Sequence, residues 1–271
     1  MPIISVDHDQ QDIHYRDTGG GGVPLVLIHG FPFNSESWSP QIAGLSDRRL
    51  IVPDLRGFGE TPLSAHPYTL ARLADDVAEI LDALSVRRAV VGGLSMGGYV
   101  TFEFWRRHRD RVAGLLLADT RPQADSDEAR LNRARLATAA REEGTAAVTG
   151  ELLPKLLAPV TRQRHPEIEE RLRKMMNAAP SEAVAVALMA MAARDDSVPI
   201  LATIDAPTLV IVGSEDAIVP PADTREWAAR IPDARLDVIA GAGHVSNLER
   251  PDTFNQMVAD FLDGLEAGAT A

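Results

Sequence analysis

A serine stands between two glycines at Gly93-Leu94-Ser95-Met96-Gly97, directly after the apolar run Ala89-Val90-Val91. Strand, glycine-flanked serine and helix in that order make a nucleophile elbow, a turn too tight for side chains at the neighbouring positions, which holds the hydroxyl at the rim of a sheet. The pattern is short and also fits an ordinary glycine-rich turn, so it needs partners. A serine hydroxyl is a weak nucleophile at neutral pH. It requires a base within hydrogen-bond reach and an acid that fixes the base's tautomer and stabilises its charged form. Two later loops supply these residue types. Asp216 lies in Gly213-Ser214-Glu215-Asp216, after the apolar run Thr208 to Val212, and His244 ends Gly241-Ala242-Gly243-His244, after Leu236 to Ile239. Histidine is the side chain whose ordinary pKa suits proton exchange near neutrality. Asp119, after the run Leu115 to Ala118, competes with Asp216 for the acid's place, while Glu215 reads as solvated.

These residues need a scaffold that brings strand ends together. Short apolar runs suited to buried strands recur at 23–28, 50–52, 89–91, 115–118, 208–212 and 236–239, each bounded by Gly, Pro, Asp or polar residues. Helical spacing fills the gaps. In 70–84, Leu73, Val77, Ile80, Leu81 and Leu84 share one face, and Arg72, Asp75, Asp76, Glu79 and Asp82 take the other. Strands alternating with helices predict an α/β protein with a mostly parallel sheet covered on both sides. Residues 3–15 read as a hairpin leading to the Gly19–Gly22 turn. From 122 to 198 no strand pattern occurs, and the segment reads as four helices separated by Gly144, by Pro159 to Pro166 and by Pro180. The expected organisation is therefore a sheet domain, 1–121 and 199–271, with a helical cap inserted at 122–198. The last of these helices, 181–194, is apolar almost all round, which places it in the core or against a substrate cavity lined by residues such as Leu188 and Met189.

Composition narrows the function further. The chain has 271 residues, a net charge of −12 and no cysteine. The acidity disfavours phosphate backbones and anionic membranes as partners, and the missing thiols exclude a disulfide framework, a thiolate metal site and a cysteine nucleophile. Charges within 122–198 nearly cancel, so the acidity resides in the sheet-forming part. No metal-ligand spacing of histidines and carboxylates and no nucleotide-binding glycine loop is present. With neither a signal-peptide pattern nor a membrane-length apolar run, the expectation is a soluble cytoplasmic protein acting without cofactor on a small molecule.

Five signatures in order resemble the α/β-hydrolase superfamily across essentially the whole chain: His29-Gly30-Phe31-Pro32, Asp54-Leu55-Arg56-Gly57-Phe58-Gly59, the elbow, the Gly-Ser-Glu-Asp loop and the Gly-His turn. Within it, Asn34, Trp38, the Gly-Leu-Ser-Met-Gly-Gly stretch and His244-Val245-Ser246-Asn247-Leu248-Glu249-Arg250-Pro251 are most similar to small carboxylesterases and 3-oxoadipate enol-lactonases, although 152–159 departs from the enol-lactonase pattern. The resemblance implies a Ser95-Asp216-His244 triad and an ester or lactone substrate. It also implies an oxyanion hole formed by the backbone N–H groups of Met96, at the start of the helix after the elbow, and Phe31. Phe31, Phe33 and Met96 are expected to line the acyl pocket together with Leu188 and Met189. His29, Asp54 and Arg56 read as loop anchors, and His8, His14, His66, His108 and His165 as surface residues. A carboxylate nucleophile, as in the dehalogenases and epoxide hydrolases of the superfamily, would need to occupy position 95. Two alternatives share the same scaffold: a cofactor-free perhydrolase using the same triad, and a non-catalytic ligand receptor.

Overall fold

The computed structural model describes residues 3–6, 11–64 and 68–269. Its eight strands are β1 (Ile3–Val6), β2 (Gln11–Asp17), β3 (Gly21–Ile28), β4 (Arg48–Pro53), β5 (Ala89–Leu94), β6 (Val112–Ala118), β7 (Thr208–Gly213) and β8 (Ala234–Ile239). They form one sheet in the order β1-β2-β4-β3-β5-β6-β7-β8. β1 and β2 are antiparallel to each other, and β2 is antiparallel to β4; every pairing from β4 to β8 is parallel. The six predicted strand runs all lie within these strands. The two N-terminal strands pair antiparallel as expected of the hairpin, β2 also pairs with β4, and Gly19 and Gly20 lead on to β3.

Helices cover both faces: α1 (Ser39–Gly44), α2 (Leu70–Ala83), α3 (Met96–His108), α4 (Asp127–Glu143), α5 (Thr145–Leu156), α6 (Pro159–Arg164), α7 (Pro166–Ala178), α8 (Ser181–Ala192), α9 (Pro221–Ala228), α10 (Ser246–Glu249) and α11 (Pro251–Ala269). Because side chains alternate across a strand, the central strands feed two separate cores. Val26, Ile28, Val91, Leu115, Leu117 and Val210 join one cluster. Leu25, Leu27, Val90, Leu116, Leu209 and Ile211 join the other. This is why the strands read as continuous apolar runs: neither face meets water.

Two expectations change here. Asp76, assigned to the solvent face of α2, is buried because it forms a bidentate ion pair with buried Arg56, at 2.6 and 2.7 Å. The segment between β6 and β7 carries five α-helices instead of four, since the proline-bounded stretch at 159–166 itself starts the short helix α6 at Pro159 and α7 at Pro166. Proline at the first helical position sacrifices no intrahelical hydrogen bond, so it starts helices as readily as it separates them. Within this insertion α4 packs along α8, and α5 along α7. Among the described residues no single helix is long and apolar enough to cross a membrane.

Candidate functional site

The site begins with a close approach of backbone. Ser95 leaves β5 with φ +53° and ψ −111°, a conformation disfavoured for a residue with a Cβ. Neighbouring contacts hold it there: the Ser95 N–H donates to the Ala118 carbonyl at 2.9 Å, and the Ser95 carbonyl accepts from the Gly98 N–H at 2.9 Å and the Thr120 hydroxyl at 2.8 Å. A Cβ at Gly93 would lie 2.0 Å from the Gly97 carbonyl carbon, and one at Gly97 would lie 2.2 Å from the Ile28 carbonyl oxygen. Both glycines are therefore required by space. The sequence pattern reflects packing of the elbow against β3 and α3.

The hydroxyl faces the predicted partner. Ser95 Oγ is 2.8 Å from His244 Nε2, and His244 Nδ1 is 2.8 Å from Asp216 Oδ2. Asp216 Oδ1 accepts the Ile218 and Val219 N–H groups, each at 2.8 Å, so its carboxylate is fixed by its own loop. The base and acid are both buried. Burial opposes the imidazolium, but the charge and hydrogen bond of Asp216, helped by Asp119, outweigh it and raise the His244 pKa above its ordinary value. The His244 turn is tied to the helical insertion. Its N–H donates to the Leu156 carbonyl at 2.8 Å, and buried Glu249 receives the Gly243 N–H at 2.7 Å and the Ala158 N–H at 3.0 Å.

Asp119, the rival acid, is hydrogen-bonded to other groups than His244. Its Oδ1 accepts the Gly213 N–H at 2.9 Å, and its Oδ2 accepts the Ser246 hydroxyl at 2.6 Å and the Ser246 N–H at 3.2 Å. It thus clamps the loop that carries Asp216 to the loop that carries His244. Burial, reinforced by the Asp216 charge, pushes its carboxyl up to about 8 despite these donors.

Met96 opens α3, where the first N–H groups have no intrahelical acceptor. Neither the Met96 nor the Phe31 N–H has a hydrogen-bond partner among the described residues. Phe31, Met96 and Leu188 fall in one buried cluster with Tyr99. Phe33 belongs to the opposite cluster with Leu94, Leu157 and Val245. Met189 departs from expectation. It is 43% exposed on the outer side of α8 and borders surface grooves with Arg141 and Glu182 on one side and Leu131 on the other. An almost wholly apolar helix gives no periodic signal of which residue points out, and Leu188 takes the inward place.

His29 behaves as an anchor: its Nε2 accepts the Leu55 N–H at 3.0 Å, so its Nδ1 carries the proton toward the Gly30 carbonyl, and burial depresses its pKa. Asp54 likewise holds the Ser35 N–H at 2.7 Å and the Glu60 N–H at 3.0 Å. Among the predicted surface histidines, His108 is 2.8 Å from Asp75, His14 is 3.1 Å from Glu60 and exposed His165 is 3.1 Å from Glu167. His8 and His66 lie outside the described residues. Glu215 is exposed, as expected. Sequence reasoning missed a cluster of Tyr99, Arg121, Arg133 and Arg194, which come from four separate segments with no common motif.

Comparison with known proteins places this geometry in context. The chain is 30% identical over 249 residues to 3-oxoadipate enol-lactonase 2 of Acinetobacter baylyi, covering 91% of each chain. A thermophilic esterase from Thermogutta terrifontis superposes with a TM-score of 0.94 at 41% identity, covering 97% of this chain and 98% of that one. The enol-lactonase of Burkholderia xenovorans superposes with a TM-score of 0.89 at 33% identity, covering 97% and 100%. A family model described as the alpha/beta hydrolase fold matches residues 23–251, and the chain belongs to that family.

Proposed function

We propose that the protein is a serine hydrolase of carboxylic esters or lactones that works through an acyl-enzyme. The observation that carries this reading is the continuous Ser95–His244–Asp216 hydrogen-bonded chain, with both links at 2.8 Å. His244 Nε2 takes the Ser95 proton as Oγ attacks the carbonyl carbon, and Asp216 holds the Nδ1 proton and stabilises the imidazolium. The carbonyl oxygen becomes an oxyanion received by the free N–H groups of Phe31 and Met96. His244 then protonates the leaving alcohol and activates water, whose attack releases the acid and restores Ser95. In a lactone the alcohol and the acid belong to one molecule, so the product is a single hydroxy acid, or its keto form when the alcohol is an enol. The helices of 122–198 act as a cap, with Leu188, Phe31 and Met96 lining the acyl side. The esterase and enol-lactonase relatives support the substrate class.

The test is a panel of 4-nitrophenyl esters of graded acyl length, run beside lactones on the wild type and Ser95→Ala. Turnover by the wild type should fall by about three orders of magnitude or more in the variant. An unchanged rate in Ser95→Ala would overturn the mechanism.

A further inference from the structure

Between His244 and the helical insertion, backbone meets backbone. A Cβ at Gly243 would lie 2.6 Å from the Ala158 nitrogen and 2.9 Å from the Leu156 carbonyl oxygen, so no side chain separates the turn that carries the base from the α5–α6 junction. The bond from the His244 N–H to the Leu156 carbonyl crosses this seam at 2.8 Å. Such a seam keeps its register where each buried N–H finds an acceptor. Gly243 and Ala158 contribute one N–H from either side, and both go to a single side chain. Glu249 Oε1 accepts the Gly243 N–H at 2.7 Å, and Oε2 accepts the Ala158 N–H at 3.0 Å. Neither N–H has another acceptor among the described residues.

The residue type suits the place. An ionised carboxylate accepts through both oxygens and donates nothing, so one glutamate can satisfy donors arriving from two sides. A third donor comes from the insertion: the buried Thr161 hydroxyl, in α6, also bonds to Glu249. The chain delivers the carboxylate by a local route. α10 begins two residues after His244, and the Glu249 N–H bonds to the Val245 carbonyl at 3.1 Å, which turns the side chain back toward Gly243. Arg250 adds a second strap over the seam, from the Gly241 carbonyl at 2.7 Å to the Thr161 hydroxyl oxygen at 3.4 Å. Asp216 fixes the His244 ring through Nδ1, and Asp119 holds Ser246 beyond it. The backbone just before the histidine is left to Glu249.

We propose that Glu249 is a positioning residue for the base: its carboxylate ties the glycine before His244 to the α5–α6 junction, so that the seating of the insertion sets where Nε2 stands relative to Ser95 Oγ. The proposal rests on the serine-hydrolase reading. Asp216 governs the tautomer and tilt of the ring, whereas Glu249 governs the place of the backbone that bears it. Misplacement by about 1 Å costs about 10² in rate, so a small slip along this seam acts on the proton transfer and leaves the acyl pocket largely as it was. The insertion thereby carries part of the catalytic geometry as well as covering the site.

The experiment measures kcat and KM on 4-nitrophenyl acetate, with urea midpoints, for the wild type, Glu249→Gln, Thr161→Val and the double variant. Glu249→Gln keeps the shape, but its amide accepts at one end and points an NH2 at a backbone N–H with the other. Its kcat should fall about tenfold or more while KM stays within about threefold. Thr161→Val removes the third donor from the insertion side and should lower kcat by about threefold or more. The double variant should lose less than the product of the two single losses, because both act through one carboxylate. Arg135→Ala, which breaks an exposed ion pair with Glu151 elsewhere in the insertion, should keep the wild-type kcat. Lower urea midpoints with kcat within about threefold of wild type in both single variants would mean a merely structural glutamate and overturn the proposal. Thr161→Val decides the matter alone if Glu249→Gln does not fold. Ser95→Ala indistinguishable from the wild type across the ester and lactone panel overturns the hydrolase reading and this inference with it, whereas Ser95-dependent hydrolysis insensitive to Glu249→Gln overturns the inference alone.

Discussion

Gly97→Ala tests whether the elbow is set by space. A Cβ at Gly97 would stand 2.2 Å from the Ile28 carbonyl oxygen, 2.8 Å from its carbon and 2.9 Å from the His29 carbonyl oxygen, all backbone atoms of one strand end. Reaching ordinary contact requires roughly 1 Å of relative movement between α3 and β3, on the scale at which misplacement costs about 10² in rate. That movement separates the two free N–H groups, since Met96 travels with α3 and Phe31 with the end of β3. The expected loss in kcat is therefore about a hundredfold, or about 2.7 kcal/mol. Overpacking should also lower the unfolding free energy by about 1–3 kcal/mol. Gly150→Ala is the matched control. Gly150 lies inside α5, exposed, and its added Cβ meets nothing within 4 Å. There the same substitution should stabilise by about 0.5–1 kcal/mol through helix propensity, with kcat unaltered. Urea unfolding and initial rates on 4-nitrophenyl acetate read both quantities. A Gly97→Ala protein with the wild-type urea midpoint and kcat within about threefold of wild type would refute the reasoning.

Three further outcomes are expected. Asp216→Asn should lower the maximum rate by about 10³–10⁴ and move the acid limb of the kcat/KM profile to lower pH, because burial then acts on His244 without the carboxylate that raised it; an unmoved limb contradicts this. Asp119 and His244 both have folded pKa values raised above their ordinary ones, so the stability they contribute is complete below the unfolded values and lost as pH rises through the folded ones. The unfolding free energy should accordingly fall from pH 6 to 9, and less steeply in Asp119→Asn; equal slopes in urea titrations at several pH values would count against the assignment. Asp76→Ala should cost about 3–5 kcal/mol by removing the carboxylate paired with buried Arg56, whereas the double variant Arg56→Met with Asp76→Leu should recover most of that loss; equal losses would mean that packing, not charge, governs the pair.

The features legible in sequence were those encoded locally. Gly93, Ser95 and Gly97 sit in five consecutive residues, and the loops holding Asp216 and His244 each follow an apolar strand run, so motif and order sufficed to nominate them. Strand positions were equally plain, since strands covered on both faces are continuous apolar runs. What was obscured depended on partners distant in the chain. Asp76 reads as solvated because its partner Arg56 lies in the loop after β4. Met189 and Leu188 cannot be ranked on a helix with no polar face. The arginines around Tyr99 come from the β6–β7 connection at three separate points and look like ordinary surface charge until α3 supplies the ring between them.

By itself the sequence determined the kind of chemistry: a glycine-flanked serine after a strand, with an acid and a histidine on later strand ends, in an acidic chain without thiols. These follow from residue type and chain order, which do not depend on how the elements pack. Only the tertiary structure decided which carboxylate meets His244. Asp216 and Asp119 both follow strands, but the register of β6 beside β7 turns Asp119 onto Gly213 and Ser246 and leaves Asp216 to face the imidazole. The same packing gathered the arginines over Tyr99, because a charge cluster depends on distances in space, and composition alone contains none.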